Sequence, residues 1–262
     1  MVEVNKSESL VTFEKKRRLF FSRLALQHRN LLQLHREAGQ TQRNEKFGKD
    51  ENERNKRWGD VTQHCLVELA ASEILSDILH LSPQDSQDFA ISALVHDAQK
   101  RSEIEKLRGI KDPKEVERVY KESKQFLLDH EVSPRVVELT GRVAHTSLPD
   151  LATLNTAGDL TLKDDVPLVD MAMHYLDDIT RGTDLVPFDV RIDYLESVAA
   201  TRYPYNEEGK AIWGGRTFFQ AQREIGHMIE ERLAATAGID NPKELPKIIR
   251  DRLVETIAKV KN

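Results

Sequence analysis

A His-Asp dipeptide at the end of an apolar segment is the most informative chemical feature of this sequence. Residues 93–97 read Ala-Leu-Val-His-Asp, so a helix ending here would deliver His96 and Asp97 side by side. Burying an imidazole and a carboxylate costs free energy unless they are paired or bound to a metal. Because imidazole and carboxylate ligands suit borderline and hard divalent cations, the dipeptide indicates a metal site.

Further candidate ligands lie on either side of this dipeptide in the chain. His64 lies upstream in a helix of its own, and Asp177 lies downstream in the segment Met-His-Tyr-Leu-Asp-Asp. Four ligands from three helices can surround one ion and leave positions open for water and substrate, as metal catalysis requires. Asp178 competes with Asp177, because adjacent helix positions point about 100° apart and only one can face the ion.

The order of these residues resembles the H…HD…D pattern of the HD-domain metal-dependent phosphohydrolases. The resemblance runs from about Trp58 to Arg191 and includes the segments VTQHCLVELA, ALVHDAQKR, HYLDDITRG and DVRIDYL. It implies an all-α core with the metal held between helices. It also implies a set of four metal ligands, in which its Tyr-x-Asp segment favours Asp177 over Asp178: His64, His96, Asp97 and Asp177.

The activity that this resemblance implies is hydrolysis of a phosphoester by a metal-activated water. The expected substrate is a small phosphorylated metabolite or nucleotide, and the expected cofactor is one divalent ion, whether Mn, Co, Mg, Fe, Ni or Zn. Lys100 stands where many nucleotidase-like members have a glutamate, and with Arg101 or Arg142 it would bring positive charge to phosphate oxygens. His145 is the candidate proton donor near the metal-bound water.

Two alternatives stay open at this point. Some relatives are di-iron oxygenases, which need extra histidines between the His-Asp pair and the last aspartate. His130 and His145 lie there, and His174 lies on the last-aspartate helix, so the supply for a second ion is thin. The other alternative is a non-catalytic binding module that keeps the metal as a structural element. The complete ligand set argues against it, because a structural role needs no open coordination positions.

The elements that must position these residues are predicted to be helical throughout. Apolar residues at helical spacing and Ser-Pro or Asp-Pro starts predict helices, with no convincing strand. They cover residues 10–38, 60–81, 86–96, 112–128, 133–145, 167–180, 190–200, 216–235 and 242–260. We expect an HD-type helical globule with an N-terminal helical extension and polar linker at 1–56, a core at 57–200, and a C-terminal helical extension at 201–262 packed on the core.

Composition narrows the classes of partner. The 262 residues carry a formal net charge of −5, which argues against a long nucleic acid as the partner. Cys65 is the single cysteine, so no internal disulfide is possible. No stretch approaches the roughly 18 unbroken apolar residues of a membrane span. These features predict a cytoplasmic protein that does not enter a membrane.

Overall fold

The computed structural model describes residues 3–39, 51–107, 110, 112–143, 147–202 and 206–261. These residues form thirteen α-helices, two short 3-10 helices and two small antiparallel strand pairs, so the prediction of an all-α fold is confirmed. The helices are α1 Glu3–Gln27, α2 Arg29–Glu37, α3 Glu51–Ile78, α4 Pro83–Val95, α5 Lys100–Leu107, α6 Pro113–Asp129, α7 Pro134–Thr140, α8 Leu148–Leu151, α9 Leu168–Asp178, α10 Phe188–Arg202, α11 Gly209–Ile212, α12 Phe218–Thr236 and α13 Leu245–Ala258. The 3-10 helices are Asn206–Glu208 and Pro242–Glu244.

Side-chain caps fix where several helices begin. The Ser82 hydroxyl accepts from the backbone N–H of Asp85 at 3.1 Å, and a proline follows it at the first helical position. Asp112 and Ser133 cap α6 and α7 in the same way, each before a proline. Each cap satisfies an N–H group that has no partner within the helix. The Ser-Pro and Asp-Pro start signals are therefore confirmed.

The N-terminal part of the chain differs from the predicted pattern. The single helix expected over 10–38 is broken at His28, and α2 turns so that Leu34 and His35 are buried against α4. Helix α3 begins at Glu51, so residues 51–56 of the polar linker that the sequence predicts over 45–56 are helical. The remainder of that linker, residues 45–50, lies outside the described residues.

Two hairpins interrupt the helical architecture where the sequence predicts no strand. Strand β1 (Ala152–Leu154) pairs with β2 (Leu160–Leu162), and β3 (Thr180–Arg181) pairs with β4 (Asp184–Leu185). Glycines at positive φ lie in the turns, at Gly158 (88°) and Gly182 (61°). Strands of two or three residues are too short to show the alternation by which a strand is recognised, which is why the sequence pattern misses them.

Helix α9 lies at the centre of the packing. It contacts α3, α4, α7, α10 and α12, and its largest buried side chains are Tyr175, Met173 and Leu176. Helix α13 packs on α3 and α1, so residues from all three predicted segments of the chain join one hydrophobic core. This packing fixes the relative positions of α3, α4 and α9, the helices that carry the predicted ligands.

Across the described ranges, no helix combines the length and the apolar character that a membrane crossing requires.

Candidate metal centre

Three of the four predicted ligands meet between helices α3, α4 and α9. His64 lies on α3, His96 directly follows α4, and Asp177 lies in the last turn of α9. Asp177 Oδ1 is 3.5 Å from His64 Nε2 and 3.9 Å from His96 Nε2. Residues that are 113 positions apart in the chain therefore present donor atoms to one shared space.

The two histidines are oriented by backbone carbonyls. His64 Nδ1 lies 2.9 Å from the carbonyl oxygen of Gly182, in the β3–β4 turn, and His96 Nδ1 lies 3.0 Å from that of Ala93. Because a carbonyl oxygen only accepts, each Nδ1 carries the hydrogen and each neutral ring has its lone pair on Nε2. A metal-binding histidine typically has its second ring nitrogen fixed in this way.

Glu68 completes the group and was not predicted from the sequence. It lies on α3 one turn after His64, with Oε1 3.2 Å from His64 Nε2 and Oε2 3.4 Å from His96 Nδ1. One potential ligand atom from each of His64, Glu68, His96 and Asp177 lies within 4.8 Å of the others. The spacing of four between His64 and Glu68 was the available signal, since residues four apart share one helix face.

The unsatisfied atoms of this group fit a metal ion. Both carboxylate oxygens of Glu68 and Nε2 of His96 are buried and have no hydrogen-bond partner. Leaving such groups unpaired in a protein interior is costly. A divalent cation accepts lone pairs from imidazole and carboxylate alike, so the buried cluster is chemically suited to hold one.

Mutual electrostatic interaction shifts the pKa values within the group. Burial alone would lower the pKa of His64, but the charges of Glu68 and Asp177 raise it to about 9. Burial also favours a neutral Asp177, yet its hydrogen bond with His64 and the positive charges nearby hold its pKa well below the usual range. Without a metal, the His64 ring is therefore protonated on both nitrogens at neutral pH. A bound metal would have to displace the proton on Nε2.

Asp97, the fourth predicted ligand, lies at the edge of the group. Its Oδ1 is 3.8 Å from His96 Nε2 and 3.0 Å from Lys100 Nζ. Burial would raise the pKa of Asp97, but Lys100 and the two histidines lower it, so the carboxylate is charged. Its role as a ligand stays a prediction, and so does the role of Lys100 in binding phosphate.

The remaining predicted site residues have other surroundings. Arg101 donates to Glu105 and to the carbonyl of Gly39, and Arg142 contacts Glu138, Asp150 and Asp170. His145 lies outside the described residues. Arg101 and Arg142 thus form hydrogen bonds and ion pairs with other residues of the protein, and their part in binding phosphate stays a prediction.

Comparisons of the chain with protein-family models, with curated proteins and with solved structures gave no match. The geometry of the cluster and the sequence motif therefore carry the functional argument.

Proposed function

We propose that this protein is an HD-type metal-dependent phosphohydrolase acting on a small phosphorylated metabolite or nucleotide. The observation that supports the proposal most directly is the convergence of His64, Glu68, His96 and Asp177. Their facing atoms include buried oxygen and nitrogen atoms that have no hydrogen-bond partner. Asp97 and Lys100 add a charged pair at the edge of this group. This is the ligand chemistry expected for a hydrolytic metal centre.

The roles of the chain's own residues follow from their positions. His64, Glu68, His96 and Asp177 would hold the ion, with Asp97 at the edge of the group. A divalent ion in this group would polarise a phosphoryl oxygen and lower the pKa of water near it. Lys100, whose side chain is 38% exposed, would place an ammonium group beside the phosphoryl oxygens of a bound substrate.

The di-iron alternative gains no support from the extra histidines that the structure describes. His130 contacts Glu37, with 2.9 Å between Nε2 and Oε2, and lies outside the ligand group. His174 is fully buried, with Nδ1 2.6 Å from the Arg142 carbonyl oxygen and Nε2 3.3 Å from Asp178 Oδ2. Neither histidine belongs to the group of facing ligand atoms, so we favour a single ion.

Metal analysis combined with a substrate panel tests this proposal. The purified parent should contain about one divalent ion per chain, and the variants His96→Ala and Asp177→Ala should contain much less. Phosphoester hydrolysis should disappear with a chelator and return with Mn²⁺ or Co²⁺. A folded, metal-loaded parent that leaves a broad panel of phosphomonoesters, phosphodiesters and nucleotides intact would rule out the proposed activity.

A further inference from the structure

The N-terminal helices α1 and α2 pack against helices that carry the metal ligands. Helix α1 contacts α3 and α13, and α2 contacts α4. Among the described residues, no member of the ligand group comes from α1 or α2. One side chain of each helix nevertheless donates a hydrogen bond to a backbone carbonyl close to a histidine ligand. These side chains are Arg17 of α1 and His35 of α2.

The end of α4 depends on α2 for one of its hydrogen bonds. The last four carbonyl groups of an α-helix have no partner within it. In α4 these are the carbonyls of residues 92–95. Backbone N–H groups of the following turn donate to the first and the fourth, at 2.9 and 3.0 Å, and Nδ1 of His96 lies 3.0 Å from the second. The third, that of Leu94, accepts from His35 Nε2 at 2.8 Å.

His35 is held in the orientation that this bond requires. Its side chain is fully buried, and Nδ1 lies 3.4 Å from the Thr62 hydroxyl on α3. Because the Leu94 carbonyl can only accept, Nε2 carries the ring hydrogen and Nδ1 accepts from Thr62. Removal of the His35 donor would leave a buried carbonyl unpaired two residues before His96, which is costly. A shift of the chain that relieved this cost would also move the ligand.

The turn that orients His64 is joined to α1 in a similar way. Gly182, whose carbonyl oxygen lies 2.9 Å from His64 Nδ1, and Thr183 form the two-residue loop between β3 and β4. Arg17 donates to the Thr183 carbonyl at 3.2 Å, and its guanidinium carbon lies 5.6 Å from the centroid of the Phe21 ring, one turn along α1. Because the two carbonyls belong to successive residues, fixing one restricts the orientation of the other.

We propose that Arg17 and His35 are positioning residues that hold His64 and His96 at the metal through the backbone that each ligand contacts. Groups that orient a ligand from behind contribute to metal affinity, although they do not touch the ion. On this basis the N-terminal helices are part of the metal centre and more than an extension of the fold. The inference rests on the proposed metal centre and does not depend on the hydrolytic reaction.

Titration of the metal-free protein with Co²⁺, followed by visible absorption, tests this proposal because the absorption spectrum reports the geometry of the ligands. Arg17→Met keeps an apolar stem and removes the donor, and His35→Leu removes the donor at a buried position. Each should bind Co²⁺ roughly threefold to tenfold more weakly than the parent, a smaller effect than the roughly 10–100-fold typical of losing a direct partner of a ligand. The Co²⁺ absorption band should also weaken or shift.

Conservative variants separate positioning from packing. His35→Gln keeps an N–H donor close to the position of Nε2, and Arg17→Lys keeps a donor on a long side chain. Both should therefore bind Co²⁺ more tightly than His35→Leu and Arg17→Met do. Arg18→Met, at an exposed neighbouring position of α1, is the matched control and should bind Co²⁺ like the parent. If His35→Leu does not fold, Arg17→Met decides the test, because the Arg17 side chain is 30% exposed.

A purely structural role predicts a different result. The variants would then unfold at lower urea concentration in the metal-free state but keep the parental Co²⁺ affinity and spectrum, which would overturn the proposal. The outcome is also separate from that of the proposed hydrolase. Weaker Co²⁺ binding by Arg17→Met and His35→Leu, with no phosphoester hydrolysed by the parent, would retain the positioning role and overturn the hydrolase. An active hydrolase whose two variants bind Co²⁺ like the parent would overturn the positioning role and retain the hydrolase.

Discussion

The carboxylates of Asp177 and Asp178 leave helix α9 in different directions and meet different partners. Asp177 Oδ1 lies 3.5 Å from His64 Nε2, within the metal-binding group. Asp178 Oδ1 accepts a hydrogen bond from Gln222 Nε2 at 2.6 Å, and Oδ2 lies 3.3 Å from His174 Nε2. The rotation of about 100° between adjacent helix positions accounts for this division.

Exchanging each of these carboxylates for an amide separates their roles. Asp177→Asn should lower metal affinity more than tenfold, because a neutral amide is a poor ligand. Asp178→Asn should retain the metal, because the Asp178 side chain contacts Gln222 and His174 and lies outside the ligand group. Its free energy of unfolding should change by no more than about 1.5 kcal/mol, the net value of one hydrogen bond. Elemental analysis measures the metal content, and urea unfolding measures the stability. Loss of the metal in Asp178→Asn but not in Asp177→Asn would contradict the assignment of Asp177 as the ligand.

Glu68 gives a second test of the ligand group. Glu68→Gln preserves shape but removes the charge, so metal affinity should fall more than tenfold. The matched control is Glu73→Gln at an exposed position of the same helix, which should bind metal like the parent. Because burial raises the pKa of Glu68 despite the two histidines beside it, its charged form is disfavoured in the fold, and unfolding of the metal-free Glu68→Gln variant should require at least as much urea as that of the parent. Unchanged metal affinity would show that Glu68 lies outside the coordination sphere.

The sequence predicted the centre only where residue type and order carry the signal. His64, His96 and Asp177 were identifiable because each interrupts or ends an apolar helical segment. Glu68 was missed because a glutamate on a long helix usually faces solvent, and only the packing of α4 and α9 against α3 shows that this one is buried. Asp97 follows His96 directly, and only the structure shows its contact with Lys100.

Secondary structure was likewise predictable only where the signal lies in a few neighbouring residues. The capped starts of α4, α6 and α7 were predictable because the Ser or Asp cap and the following proline act over a few residues. The break at His28 was not, because no proline or glycine marks it and the burial of Leu34 and His35 against α4 determines it. The β3–β4 hairpin was also missed, although its Gly182 carbonyl orients His64.

Lys100 competes with a metal for Asp97. Its Nζ lies 3.0 Å from Asp97 Oδ1, and the ammonium group repels a nearby cation. Lys100→Gln should therefore raise metal affinity by roughly threefold to tenfold, equivalent to about 1 kcal/mol of charge repulsion at a partly exposed position. Lys106→Gln, farther along α5 and paired with Glu122, is the control and should leave the affinity unchanged. Equal or weaker metal binding by Lys100→Gln would contradict the competition.

His145 remains a prediction of the sequence. If it is the proton donor, His145→Ala should lower turnover by about 10²–10⁴-fold while leaving the metal content unchanged. Elemental analysis alongside steady-state kinetics measures both quantities. Loss of one of two bound ions in this variant would instead make His145 a ligand of a second metal and revive the di-iron alternative.

His35 links the stability of the fold to pH. It is fully buried, with Nε2 2.8 Å from the carbonyl oxygen of Leu94 and Nδ1 3.4 Å from the Thr62 hydroxyl. Burial lowers its pKa below the ordinary value of 6.5, so the unfolded chain takes up a proton at a pH where folded His35 is still neutral. The stabilisation is complete above pH 6.5 and is lost as the pH falls toward the lowered pKa.

Urea unfolding of the metal-free protein at pH 7.5 and pH 5.5 should show a smaller loss of stability in His35→Gln than in the parent. His80→Asn, at an exposed position with φ of 52° that asparagine tolerates, should lose as much stability as the parent. An identical pH dependence in the parent and His35→Gln would show that burial of His35 does not contribute to acid unfolding.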